Sequence, residues 1–141
     1  MREIKFRGKN YDGMWMYGYL MPIKSPIHLD CKYGISVSPS ALKSVDRILY
    51  EVETNTIGQF TGLKDKNGKE IYEGDILRVF SLNTDTLGES KIVQVMYDES
   101  YAAFTVYIGE GVSRTLGSTE HECEIEVIGN VHDNPDLLKG E

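Results

Sequence analysis

Turn-forming residues cut this chain into runs too short for long helices. Reversal chemistry recurs at Asn10-Tyr11-Asp12-Gly13, Asp65-Lys66-Asn67-Gly68, Glu73-Gly74-Asp75 and Asp98-Glu99-Ser100. Asx-Gly combinations supply the left-handed backbone that tight reversals need, because glycine carries no Cβ to clash. Several of the runs between them alternate between apolar and polar residues, the period of a strand. Ile4 and Phe6 alternate with Lys5 and Arg7, and Lys91–Tyr97 and Tyr101–Ile108 flank a tight turn. A chain punctuated in this way folds into hairpins, so the sequence predicts a mainly β protein.

The first predicted hairpin joins Ile4–Arg7 to Met14–Leu20. Its second strand is apolar or aromatic on both faces, with Trp15, Tyr17 and Tyr19 on one and Met14, Met16 and Leu20 on the other. Such a strand needs cover on both sides. Pro22–Pro39 reads as irregular around a short strand at Lys32–Val37, Ser38-Pro39 as the start of one helical turn, and Arg47–Val52 as a further strand. Between Ile57 and Val131 the pattern fits five short strands closed into a small barrel, with loops at Asn83–Glu89 and Gly109–Gly117. The last strand, Glu122–Val131, places Glu122, Glu124 and Glu126 on one face and Cys123, Ile125 and Val127 on the other. Asn134-Pro135 then opens a short helical turn ending in Leu137-Leu138.

Length and composition bound the rest. A chain of 141 residues, 40% apolar, holds enough core for one domain, or a small domain with an extra lobe, without a metal or disulfide. Cys31 and Cys123 read as free thiols. The longest uncharged stretch tested as a span, Met14–Ile23, has ten residues, whereas a spanning helix needs about 20. Met1–Lys9 is basic but no cleavage signal follows, so the expected location is the cytoplasm, away from membranes. Residues 120–141 carry −6 of the formal net charge of −7, and the other 119 residues are nearly neutral.

Three segments together resemble the YopX family of phage and prophage proteins: REIKFRGKN at Arg2–Asn10, TIGQFTGLKDKNGKEIYEGDIL at Thr56–Leu77, and IGNVHDNPDLL at Ile128–Leu138. The central run is the most specific, and the resemblance reaches from end to end. It implies an N-terminal β lobe over residues 1–55, an SH3-type small β-barrel over residues 56–141, and an origin in a bacteriophage or prophage of a bacterial host. It implies no activity. Pro22–Val45 and the loops at 83–89 and 109–117 lie outside the resemblance, which points to them for individual specificity.

The chemistry-bearing residues separate the function classes. Thr56, Gln59 and Thr61 are candidate ligand contacts, although polar residues in loops and at strand ends more often satisfy local backbone groups. Glu70, Glu73 and Asp75 form a carboxylate cluster better explained by turns than by acid/base chemistry. His28 with Cys31, and His121 with Cys123 on one strand face, are the metal-ligand candidates, though neither spacing is that of a paired-cysteine zinc motif. Gly109-Glu110-Gly111 has Arg114 where a dinucleotide fingerprint needs its third glycine. No catalytic motif appears, and no cofactor is expected.

The expected function is a non-catalytic protein-binding or assembly module, forming a homo-oligomer and meeting a phage or host protein. Trp15, Tyr17, Tyr19, Lys5 and Arg7 are the candidate interface. Lys5, Arg7 and Lys9 beside those rings also suit nucleic acid, although a pI near 5.0 disfavours it. A small metal-dependent enzyme is the third class.

Overall fold

The computed structural model describes residues 2–37, 49–81, 88–109 and 112–139, and the chain divides after Phe60 into two compact units. In the first, β1 (Phe6–Lys9) and β2 (Trp15–Pro22) form the expected hairpin, with Arg7 opposite Tyr17 and Lys9 opposite Trp15. Asn10 turns the chain by accepting, through its side-chain oxygen, from the amides of Asp12 at 3.0 Å and Met14 at 2.9 Å. β3 (Tyr33–Ser36) pairs with β2, β4 (Tyr50–Val52) with β3, and the start of β5 (Gly58–Lys64) with β1. All neighbours run antiparallel.

Gly8 brings the end of β4 back to β1. A Cβ there would stand 3.0 Å from the Val52 Cβ, so only glycine admits Val52 at this distance without a shift. The Asn10–Val52 bridge and the Glu53 amide, donating to the Lys9 carbonyl at 2.8 Å, fix the return. Among the described residues, Cys31, Ile35, Val52 and Phe60 are the buried apolar residues of this unit, each 5% exposed or less.

In the second unit β6 (Glu70–Tyr72) pairs with β5. β7 (Asp75–Ser81), β8 (Ser90–Asp98), β9 (Ala103–Gly109), β10 (Val112–Thr115) and β11 (Cys123–Asn130) form a sheet ordered β10-β9-β8-β7-β11. Helix α1 (Leu116–Glu122) connects its two edge strands, β10 and β11. Ile71, Leu77, Val79, Val93, Val95, Val106, Leu116 and Ile125 make one buried cluster. No described helix is long and apolar enough to cross a membrane.

The protein is mainly β, in two antiparallel sheets, but the closed barrel is not formed, because β10 and β11 stand at opposite edges of their sheet. The strands between Ile57 and Val131 also exceed the expected five. Part of the predicted loop at 109–117 is β10 and the start of α1, because Thr115 caps the helix by accepting from the Ser118 amide at 3.4 Å. That cap places Glu122 in the helix and starts the last strand at Cys123. Asn134 turns its oxygen to the Asn130 amide at 3.3 Å and makes no side-chain cap to the terminal 3-10 turn at Pro135–Leu138. The helical turn expected at Ser38-Pro39 and residues 83–87 of the predicted loop lie outside the described residues.

Candidate functional site

The hairpin register sets Lys9 beside Trp15 and Arg7 beside Tyr17 on one face, and alternation adds Tyr19. The Arg7 guanidinium lies 4.6 Å from the Trp15 ring centre and the Lys9 ammonium 5.7 Å from it, while Lys5 stands 5.2 Å from the Phe60 ring. Arg7 is only 6% exposed. The predicted basic strand face is therefore not an open row of cations: Arg7 is buried, and all three charges lie over rings of their own unit. Tyr17 and Tyr19 remain 45% and 37% exposed. On the opposite side of β2, Leu20 faces the fully buried Ile35.

The acidic row on β11 has cations close by in its own unit. Glu126 lies opposite Arg78 and 4.0 Å from the Lys66 ammonium, which in turn sits over Phe80. Glu124 lies opposite Phe80, and Glu122 belongs to α1 and not to this row. A lysine 3.5 Å from Glu3 likewise compensates part of the N-terminal charge, that lysine being Lys5.

A second cluster gathers around the segment after β2. The His28 ring stacks on Tyr11 at 3.7 Å with a 3° interplanar angle, and its Nδ1 lies 2.7 Å from the Glu51 carboxylate. An ionised carboxylate only accepts, so Nδ1 donates, and Nε2 of a neutral ring is left as an acceptor. Hydrogen bonds from His28 and then Ser25 hold the Glu51 carboxyl below its ordinary value, against an opposing effect of burial. Burial, with Cys31 alongside, pushes the Tyr11 phenol up to about 12.

Ser25 Oγ accepts from the amides of Ile27 at 3.2 Å and His28 at 2.9 Å, and the Cys31 amide donates to the His28 carbonyl. The result is a clasped segment on which Ile27 and Leu29 are 77% and 91% exposed. Sequence reasoning missed Tyr11 and Glu51, since partners 17 and 23 residues from His28 leave no spacing signature, and it also missed Ser25, three residues before His28.

The other predicted site residues have structural partners. Thr56 is buried, donating to the Glu53 carbonyl at 2.6 Å and accepting from the Lys9 amide at 2.8 Å. Thr61 donates to the Ile71 carbonyl at 2.8 Å, and Gln59, opposite Phe6, is half-buried. These bonds are the local backbone ties expected of polar residues at strand ends. Asp75 is 2% exposed and accepts from the Tyr72 amide at 2.7 Å, a bond that serves the turn and not acid/base chemistry.

Of the metal candidates, His28 serves Glu51, and the Cys31 thiol points at the carbonyls of Tyr33 and Val52. His121 lies in α1 while Cys123 begins β11, so the shared strand face expected for that pair does not exist. Among the described residues no group of three or more His, Cys, Asp or Glu side chains is arranged to hold a metal ion.

The YopX protein family model matches residues 5–139. The fold is similar to the crystal structure of protein EF1440 from Enterococcus faecalis, with a TM-score of 0.54 and 26% identity over 98% of this chain and 99% of that one. No curated protein matches the sequence.

Proposed function

Proceeding from a chain that belongs to the YopX family, we propose that it is a non-catalytic assembly module that binds further copies of itself through the aromatic face of β2. The observation that carries this reading is the exposure of Tyr17 and Tyr19 beside a tryptophan already clamped by Arg7. Tyrosine, tryptophan and arginine dominate the energetically important centres of protein interfaces. A clamped Trp15 has less freedom to lose on binding, which favours association. Burying the remaining exposed area of each tyrosine is worth roughly 1 to 2 kcal/mol, more than the exposed ion pairs contribute, at under about 1 kcal/mol each.

The biological setting we assign is a phage or prophage in the cytoplasm of its bacterial host, where a phage or host protein is a further partner. The exposed Ile27 and Leu29 on the clasped segment, outside the stretches that carry the family resemblance, suit such a partner. We read the second unit as an SH3-type barrel left open between β10 and β11. The non-catalytic part of the reading is supported by the use of Thr56, Thr61, Asp75 and Cys31 in ties to backbone groups.

Trp15 is the single tryptophan of the chain, so its fluorescence reports on this face. Acrylamide quenching of Trp15 is expected to weaken as protein concentration rises, and Tyr17→Glu is expected to remove that dependence. Quenching independent of concentration in the native protein would contradict the assembly. One observation favours single-stranded nucleic acid instead: cations and rings share a face. With Arg7 buried and the net charge at −7, binding isotherms at two salt concentrations are expected to show nothing tighter than about micromolar at physiological salt. A steep, salt-dependent affinity would replace the assembly reading with the nucleic-acid one.

A further inference from the structure

Of the six asparagines in the chain, Asn67 is the one followed by a glycine, Gly68. Asn10, Asn130 and Asn134 spend their side-chain oxygens on backbone amides. Asn67 is exposed, and its side-chain amide makes no hydrogen bond to a described residue. Gly68 is exposed as well, with a φ of +82°, and has no side chain to shield its nitrogen. The turn that carries both residues is also a fastening. Asp65 Oδ2 accepts from the Val127 amide at 3.0 Å, and the Lys66 amide donates to the Ile125 carbonyl at 2.9 Å. The turn therefore occupies the edge of β11 that faces away from β7.

We infer that Asn67 is a site of spontaneous modification to isoaspartate, and that the conversion unfastens the turn from β11. The Gly68 nitrogen attacks Asn67 Cγ: the N–Cγ bond forms, the Cγ–Nδ2 bond breaks, and Nδ2 leaves as ammonia with the proton that the Gly68 amide gives up. Water then opens the cyclic imide. Addition at the Asn67 backbone carbonyl carbon breaks its bond to the Gly68 nitrogen, so the chain runs on through Cγ, one methylene longer, and the old carbonyl becomes a free carboxylate. Water is the only co-reactant. One bond restrains the nucleophile, the Gly68 amide donating to the Asp65 carbonyl at 3.0 Å, and bonds at exposed turn tips open readily. The consequence runs through Asp65 Oδ1, which accepts from the Asn67 amide at 2.8 Å and the Lys69 amide at 2.9 Å. These donors lie on either side of the lengthened link, so one oxygen no longer meets both, and the new carboxylate adds a like charge near Asp65. Val127 then loses its acceptor, and the edge of β11 is open to another strand. The turn and β11 belong to the second unit, so the site is independent of the aromatic face of the first.

The test is incubation of the folded full chain at mildly alkaline pH, with the same chain unfolded in urea alongside. Peptide mapping by mass spectrometry is expected to find the fragment holding Asn67 about 1 Da heavier before any other asparagine changes. An isoaspartyl methyltransferase should label that fragment. The rate in the folded chain should be no less than about a hundredth of that in the unfolded one, the reach of a local opening. Asn67→Gln is expected to abolish the change at an unchanged melting temperature, since the side chain is exposed. The isoaspartyl form, separated on an anion exchanger by its added charge, should exchange the Val127 amide hydrogen at least about tenfold faster than fresh protein, with Val93 and Val106 unaltered. Asn67→Asp supplies the charge on a backbone of ordinary length and should leave Val127 protected. A folded rate below that hundredth, another asparagine reacting first, unchanged Val127 exchange in the isoaspartyl form, or equal acceleration in Asn67→Asp would each overturn the inference.

Discussion

Gly18 decides how two strands of the first unit meet. Its φ of +153° and the Ser36 carbonyl oxygen beside it leave no room for a Cβ, which would collide with that oxygen. Gly18→Ala is therefore expected to lose about 2 to 4 kcal/mol in denaturant unfolding, and a loss under about 0.5 kcal/mol would show that β3 simply shifts away. Ala102 is the opposite case, the one described non-glycine residue at positive φ, at 50°, in the turn between β8 and β9. Ala102→Gly should raise stability by roughly 0.5 to 1 kcal/mol in the same assay, because relieved strain exceeds the added freedom of the unfolded chain. The contact of Gly18 at Ser36 was not legible in the sequence. The same distance in sequence hid the bond between His28 and Glu51, whereas Asn10, whose partners are two and four residues away, was readable from its turn alone.

Among the elements, the hairpins were legible because each is made by a local turn, and β10 with α1 was not, because the glycines at 109, 111 and 117 imitate a loop. Only the Thr115 cap and the pairing of β10 with β9 reveal the ordered segment. The turn at Asp65 shows a local signal with a distant use. Its carboxylate accepts from the amides of Asn67 and Lys69 within the turn, and of Val127 on β11 at 3.0 Å. Burial raises the Asp65 pKa, but the three amides together outweigh it and hold the carboxyl below its ordinary value of 3.8. A depressed carboxyl pKa contributes stability that is fully present above the ordinary value and is lost as pH falls through the depressed one. Asp65→Asn should accordingly cost about 1 to 3 kcal/mol near neutral pH, with the gap from the native protein closing as pH drops below about 4. A gap constant from neutral pH down to about pH 2 would show that charge at Asp65 is immaterial.

At the scale of the molecule, the sequence made the β class and the family readable, but not where the charges settle. Lys5, Arg7 and Lys9 lie over rings, and Glu126 lies beside Lys66, each within its own unit. Linear alternation shows which side chains share a face and is silent on what lies across it. Assembly driven by Tyr17 and Tyr19 should therefore be largely indifferent to salt, since screening acts on exposed charges and leaves apolar burial intact. Reversing Lys5 to Glu should change the mass little, while Tyr17→Glu should reduce it to that of one chain. The most direct measurement is light scattering on a size-exclusion column at tens of micromolar native protein, low and high salt in turn. The account predicts an integral multiple of the 15.9 kDa chain under both conditions, and a mass of one chain would contradict it.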